Sequence, residues 1–213
     1  MTTSGPQWHL NRPDLLVAGV GWGAVLPALR QTSGEAFEVV GPPLPGNWWD
    51  WQYSGKQGDA WPLLAGDHDG HSYVLTDSIG LAMAADRVPL LAAHLETTVL
   101  GYTYEDTAGT EMLTAARGPD LLRYTLRSNW GDHEEGEPLP GEAEGIEIVL
   151  RNLGFDPDAW LEHGTTLRLR WTPLEPDIEA EAHRRLYAGP LRMRVDHIEQ
   201  AAREEFEGEA EDS

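Results

Sequence analysis

Residues 97–128 read TTVLGYTYEDTAGTEMLTAARGPDLLRYTLRS, which is three strand-like runs separated by DTAG and GPD. Aspartate, glycine and proline are common in tight hairpin turns, and here they stand between the runs. Apolar and aromatic side chains alternate along the first and third runs: Leu100, Tyr102 and Tyr104, then Leu122, Tyr124 and Leu126. Because side chains alternate between the faces of a strand, Arg123 and Arg127 fall on the opposite face. The stretch predicts an antiparallel meander.

Outside the meander, the chain mixes helical and strand-like patterns. Helices are predicted over 22–32 and 78–96, the second with a break before Pro89, and strands over 36–40, 71–77 and 165–171. Asp156 and Pro157 are typical of a helix start, and they predict a short helix that buries Trp160. IEIVLRNLGF, residues 146–155, fits either a strand or a helix. This order predicts an α+β fold, an antiparallel sheet with flanking helices.

The length of 213 residues fits one domain, which we place at residues 1–174. From Pro176 to Phe206, apolar residues recur at a spacing of four, which indicates helix interrupted at Gly189 and Pro190. The chain ends in the acidic tail EEFEGEAEDS. We therefore expect a C-terminal helical segment with an acidic tail at residues 175–213, packed on the same domain.

The charge balance restricts the class of partner. The chain has 36 acidic and 15 basic residues, which gives a formal net charge of −21. Such a surface repels nucleic acid and anionic lipid and attracts basic proteins, although acidity also serves solubility alone. There is no cysteine, which excludes disulfides, thiolate zinc sites and a cysteine nucleophile. No signal-peptide or membrane-span pattern is present, so we expect a cytoplasmic protein.

The acidic residues are concentrated after the meander. Between Asp132 and Glu147 there are seven acidic residues and no lysine or arginine. High charge and low hydrophobicity are typical of a mobile, solvated loop, which is our expectation for this segment. Its carboxylates are candidates for binding a basic partner: Asp132, Glu134, Glu135 and Glu137.

A second candidate site is rich in aromatic residues. Residues 41–62, GPPLPGNWWDWQYSGKQGDAWP, place Trp48, Trp49, Trp51 and Tyr53 between proline-rich and glycine-rich ends. Such side chains either cover an edge of the core or, if exposed, anchor a protein partner or stack on a sugar. The sequence leaves these interpretations open.

A third candidate site is GDHDGH, residues 66–71. Asp67, His68, Asp69 and His71 carry oxygen and nitrogen ligands that suit a divalent metal. Their spacing matches no zinc-hydrolase motif, and Asp and Gly together also form a tight turn. A divalent metal here is the alternative to our main expectation, which is a protein without a cofactor. No G-x-S-x-G nucleophile motif is present.

In composition and fold class the chain resembles immunity and inhibitor proteins of bacteria, which cover a basic active site. The resemblance implies a non-catalytic protein that neutralises or regulates a basic partner, such as a nuclease-like toxin or a nucleic-acid-binding protein. Two alternatives remain open. One is an enzyme that uses the histidine and aspartate cluster or binds sugar at the tryptophans, and the other is a structural or assembly component. The oligomeric state is left open.

Overall fold

The computed structural model describes residues 14–33, 36–42, 44–45, 63–76, 87–105, 109–129, 131–172, 176–177 and 180–181. The strands are β1 Asp14–Ala18, β2 Ala36–Val39, β3 Leu44–Pro45, β4 Leu63–His68, β5 His71–Thr76, β6 Thr98–Glu105, β7 Thr110–Arg117, β8 Asp120–Ser128, β9 Gly131–Glu135 and β10 Thr165–Thr172. The helices are α1 Trp22–Ser33, α2 Arg87–Leu95, α3 Ile146–Asn152 and α4 Pro157–His163, with a 3-10 turn at Glu142–Glu144. The α+β class is therefore confirmed.

One antiparallel sheet contains all ten strands of the described residues. The order across the sheet is β2, β10, β4, β5, β1, β6, β7, β8 and β9, and β3 pairs with the other end of β10. The predicted meander is confirmed as β6, β7 and β8, and β9 extends it by one strand. β9 therefore forms one edge of the sheet as described.

β1 lies at the centre of the sheet, and the sequence pattern did not reveal it as a strand. Its side chains alternate between two cores, with Leu15 and Val17 on one face and Leu16 and Ala18 on the other. All four are at most 3% exposed. The strand is therefore buried on both faces, and its sequence DLLVA has no polar alternation.

The first face of the sheet is covered by α1 and α2. Apolar residues of both helices form one cluster with the strands: Val25, Ala28 and Leu29 from α1, Val88, Leu91 and Ala92 from α2, and Leu16, Val74, Val99, Leu167 and Leu169 from the sheet. The predicted helix over 22–32 is confirmed. In the predicted 78–96 helix, the described part is α2, with Pro89 in its first turn, where a missing N–H is tolerated.

The second face is covered by α3 and α4. Asp156 caps α4 as predicted, because its Oδ1 accepts a hydrogen bond of 3.0 Å from the Ala159 N–H. The Trp160 ring is fully buried and stacks on Tyr73, with ring centroids 4.5 Å apart and planes 2° from parallel. A Cβ at Gly66 would lie 2.5 Å from Trp160 Nε1, so a glycine in β4 makes room for the indole.

Two expectations for the meander end need correction. A register shift between Ala115 and Ala116 leaves Leu122 unpaired, and Leu122 packs toward α3 rather than beside Tyr124 and Leu126. The acidic segment 132–147 is not a loop throughout. It forms β9, the 3-10 turn and the start of α3.

The predicted C-terminal segment 175–213 lies outside the described residues, except that residues 176–177 and 180–181 are helical. Within the described part of the chain, none of the helices has the length and apolar character that crossing a membrane requires.

Candidate functional site

The carboxylates predicted to bind a partner lie at the β9 edge of the sheet. Of the five residues of β9, Gly131 to Glu134 are exposed and Glu135 is half-buried. The chain then passes through Gly136 to the 3-10 turn, and the whole stretch 131–144 carries six acidic residues and no lysine or arginine. We call residues 131–144 the acidic edge. The structure thus brings Asp132, Glu134, Glu135 and Glu137 onto one continuous edge.

Arg123 of β8 holds the acidic edge on the second face of the sheet. Its side chain is 3% exposed, and its Nη2 lies 2.6 Å from Glu142 Oε1 and 2.8 Å from Glu134 Oε2. Its Nε donates to both oxygens of Glu142, and its Nη1 donates to the Gly136 carbonyl oxygen at 2.9 Å. One buried guanidinium therefore joins β9, the following bend and the 3-10 turn.

The two ends of this ion pair stabilise each other's charged form. The hydrogen bond with Glu142 is the main reason that the pKa of Arg123 lies above its ordinary value. Burial alone would raise the pKa of Glu142. Hydrogen bonds from Arg123 and the Leu139 N–H, with the charges of Arg123 and Arg127, outweigh burial and lower that pKa. Both groups are therefore ionised at neutral pH.

Further contacts fix the stretch after β9. The Leu139 N–H donates to Glu142 Oε2 at 2.8 Å, and Asn152 Nδ2 of α3 donates to the Pro140 carbonyl oxygen at 2.9 Å. Gly141, at φ 85°, lies so close to Ile148 that a Cβ would collide with it. Leu139 packs against the core of the second face. The acidic edge is thus attached to both β8 and α3.

A second, more open layer of charge lies beside Arg123. Arg127 is 47% exposed and lies 3.7 Å from both Glu111 and Glu134, and 4.0 Å from Glu142. Tyr102 Oη donates to Glu111 Oε1 at 3.1 Å, and burial raises the pKa of Tyr102 above its ordinary value. Two arginines here face three glutamates, so this part of the sheet face keeps a net negative charge.

Three acidic side chains of the edge are free to meet a partner. Asp132, Glu137 and Glu144 are exposed, and within the described residues they have no ion-pair or hydrogen-bond partner. Glu134 is used by Arg123, and Glu135 lies 3.4 Å from His133 Nε2. Sequence reasoning missed Glu142 and Arg123 as partners. The sequence did place Arg123 on one face of a half-buried strand. A buried arginine needs a carboxylate nearby, so this placement could have indicated an ion pair.

The candidate metal ligands lie in the hairpin that joins β4 and β5. His68 pairs with His71 in register, and the two residues between them, Asp69 and Gly70, have φ 50° and 79°. Two positive φ angles are the signature of a two-residue hairpin turn, as the alternative interpretation expected. The His71 ring packs on Phe155, with ring centroids 5.0 Å apart. All four candidates, Asp67, His68, Asp69 and His71, belong to the described residues. Among the described residues, no three His, Asp or Glu side chains are grouped so that they could hold a metal ion.

The aromatic candidates Trp48, Trp49, Trp51 and Tyr53 lie outside the described residues. Their role as partner-binding residues stays a prediction.

Comparisons with known proteins found no match to this chain among family models, curated proteins or solved structures. The functional proposal rests on the geometry and charge of the acidic edge.

Proposed function

We propose that this protein is a non-catalytic acidic binding protein that neutralises or regulates a basic protein partner, and that the partner docks on the acidic edge. The observation that carries the proposal is the set of free, exposed carboxylates, Asp132, Glu137 and Glu144, on a backbone held by the buried Arg123. The proposed class is an immunity or inhibitor protein. The basic partner would be a nuclease-like toxin or another nucleic-acid-binding protein, met in the cytoplasm.

The charge of the edge supports this choice of partner. A net charge of −21 attracts a basic protein at long range and raises its rate of association. The free carboxylates of the edge then oppose the arginines or lysines that a nucleic-acid-binding surface presents. Phosphate groups of nucleic acid would meet the same carboxylates as like charges and be repelled.

The order of the edge supports a docking role as well. A disordered acidic loop would lose conformational freedom on binding, and this loss would reduce the affinity. Here Arg123, Leu139 and Asn152 already hold the segment in place. Carboxylates on a fixed backbone present a defined pattern of charge, which favours one partner over other basic proteins.

The experiment is affinity capture from a lysate of the source organism with matched variants. The edge variant carries Asp132→Asn, Glu137→Gln and Glu144→Gln, which remove three free charges without touching the contacts of Arg123. The control variant carries Asp69→Asn, Glu96→Gln and Asp120→Asn, three exposed positions outside the acidic edge. Both variants therefore have the same net charge.

We expect the wild type and the control to capture the same basic protein at low salt and to lose it at high salt. The edge variant should bind that protein about ten-fold or more weakly, a typical result of removing several charges from an interface. Equal capture by both variants would show that total charge, not this edge, attracts the partner. A captured partner that is acidic, or that is held at high salt, would contradict the proposal.

A further inference from the structure

β9 has a free edge. Within the described residues it pairs with β8 alone, and Gly131 to Glu134 are exposed. An edge strand carries unpaired N–H and C=O groups on its outer side, and these groups can pair with a further strand. The structure therefore offers main-chain hydrogen-bonding groups next to the carboxylates.

The register identifies the residues that supply these groups. Only two residues separate Ser128 from its partner Gly131, so this pair closes the hairpin and exchanges its hydrogen bonds within it. Hydrogen-bonded and non-bonded pairs then alternate along an antiparallel ladder. His133 and Glu135 direct their N–H and C=O groups to β8. Asp132 and Glu134 direct theirs outward.

Main-chain groups and acidic side chains thus belong to the same two residues. Asp132 lies opposite Arg127 and Glu134 lies opposite Thr125, so both acidic side chains lie on the face that carries Arg123 and Glu142. A strand added to β9 would place its alternate side chains directly beside these two carboxylates. Opposite charges at such cross-strand positions attract, and like charges repel.

From this geometry we infer that the acidic edge accepts an extended basic segment of the partner as an additional β-strand. The segment carries arginine or lysine at alternate positions. One of these basic residues pairs with the free carboxylate of Asp132, and the next lies beside Glu134, whose side chain is 47% exposed while its Oε2 contacts Arg123. The inference rests on the proposed function and specifies how the partner is recognised. Main-chain hydrogen bonds provide the docking, and the two carboxylates select a basic strand.

The same charges explain why a second copy of β9 is a poor occupant. Antiparallel pairing of two β9 strands would bring Asp132 and Glu134 of one copy beside acidic residues of the other. Charged side chains on an edge strand are a known means of preventing such self-pairing. A basic strand meets the opposite sign, so it is the occupant that the charges favour.

The test uses a capped peptide of about eight residues, long enough for one strand, that alternates arginine with threonine and valine. A second peptide carries N-methyl groups on the arginine amides. A third carries them on the threonine and valine amides. If the arginines pair with Asp132 and Glu134, the arginine amides face β9 and the other amides face solvent. All three peptides have the same charge.

We expect the first and third peptides to bind alike by calorimetric titration. The second should bind on the order of ten-fold more weakly, because its methyl groups remove hydrogen bonds to β9. Binding should also slow hydrogen exchange at the amides of Asp132 and Glu134. Asp132→Lys should abolish binding of the first peptide, whereas Asp120→Lys, at the opposite end of β8, should leave it intact.

Equal binding of all three peptides would overturn strand addition and leave docking by charge, which the capture experiment tests independently. Binding of none of them would also overturn strand addition. If the third peptide is weakened and the second is not, the basic residues lie on the other face of the added strand, and the pairing with Asp132 and Glu134 is wrong.

Discussion

Arg123 is the residue on which the acidic edge depends. Its guanidinium is almost fully buried, and its partners Glu134 and Glu142 are 11 and 19 positions away in sequence. Alternation along the third run of the meander correctly put Arg123 on the face opposite Tyr124. Its partners could not be predicted, because a strand pattern gives the side on which a residue lies and not what covers that side.

Substitution of Arg123→Met should lower the free energy of unfolding by about 3 kcal/mol, because Glu142, whose side chain is 11% exposed, would keep only its longer ion-pair contact of 4.0 Å with Arg127. Arg170→Met is the matched control. The Arg170–Glu38 pair has a similar length of 2.8 Å, but both side chains are at least half exposed. Its loss should cost no more than about 0.5 kcal/mol.

Denaturant unfolding of the two variants measures this difference. Equal losses would contradict the role given to Arg123. The double variant Arg123→Met with Glu142→Gln should recover part of the loss, since removing both charges leaves no buried ion unpaired.

Glu142 gives the acidic edge a specific dependence on pH. Its pKa in the folded protein is lowered below the ordinary 4.5, so folding favours the ionised form. The stability that follows is fully present above the ordinary pKa and is lost as the pH falls through the folded value. Glu142→Gln should therefore destabilise the protein most at neutral pH.

Unfolding curves of the wild type and of Glu142→Gln between neutral and acidic pH measure this effect. The difference in unfolding free energy should shrink as the pH falls below about 4.5, where the wild-type carboxylate becomes protonated in the unfolded chain. A difference that stays constant across this range would show that the ion pair with Arg123 does not stabilise the fold.

At the scale of elements, the alternating strands were predictable and the uniformly apolar or acidic ones were not. β6 and β8 show a period of two in part, with Leu100, Tyr102 and Tyr104 in β6 and Tyr124 and Leu126 in β8. β7 is buried on both faces, and it was predictable from the turn residues on either side of it. β1 is buried on both faces and lacks that period. β9 reads GDHEE, and its acidic composition indicated a loop. It is a strand because β8 supplies both a hydrogen-bonding edge and the charge of Arg123.

The candidate site, like the strands, could be predicted from the sequence only in part. The acidic residues that we selected from composition, Asp132, Glu134, Glu135 and Glu137, lie in β9 and in the bend that follows it. Composition could not show that Glu134 is already paired with Arg123 while Asp132 is free. The distinction depends on which residues of β9 face β8, and only the register determines it.

At the scale of the whole molecule, the net charge indicates the sign of the partner and the fold indicates where it docks. Helices cover both faces of the sheet around β1, so the centre of the sheet is buried, whereas β9 at its edge is exposed in the described part of the chain. The acidic edge carries three acidic side chains, Asp132, Glu137 and Glu144, that make no ion pair or hydrogen bond within the described residues. A uniformly acidic surface would improve solubility alone, whereas free carboxylates on an ordered edge also give a partner a defined place to bind.

Both proposals require that residues 131–144 are ordered and that β9 pairs with β8 at the edge of the sheet. Residue-resolved hydrogen exchange of the full-length protein tests this requirement most directly. Hydrogen-bonded amides of His133 and Glu135 should exchange at least about ten-fold more slowly than the outward amides of Asp132 and Glu134, because only bonded amides require local opening. If every amide from 131 to 144 exchanges at the rate of an unfolded chain, the segment is a loop and the edge does not exist.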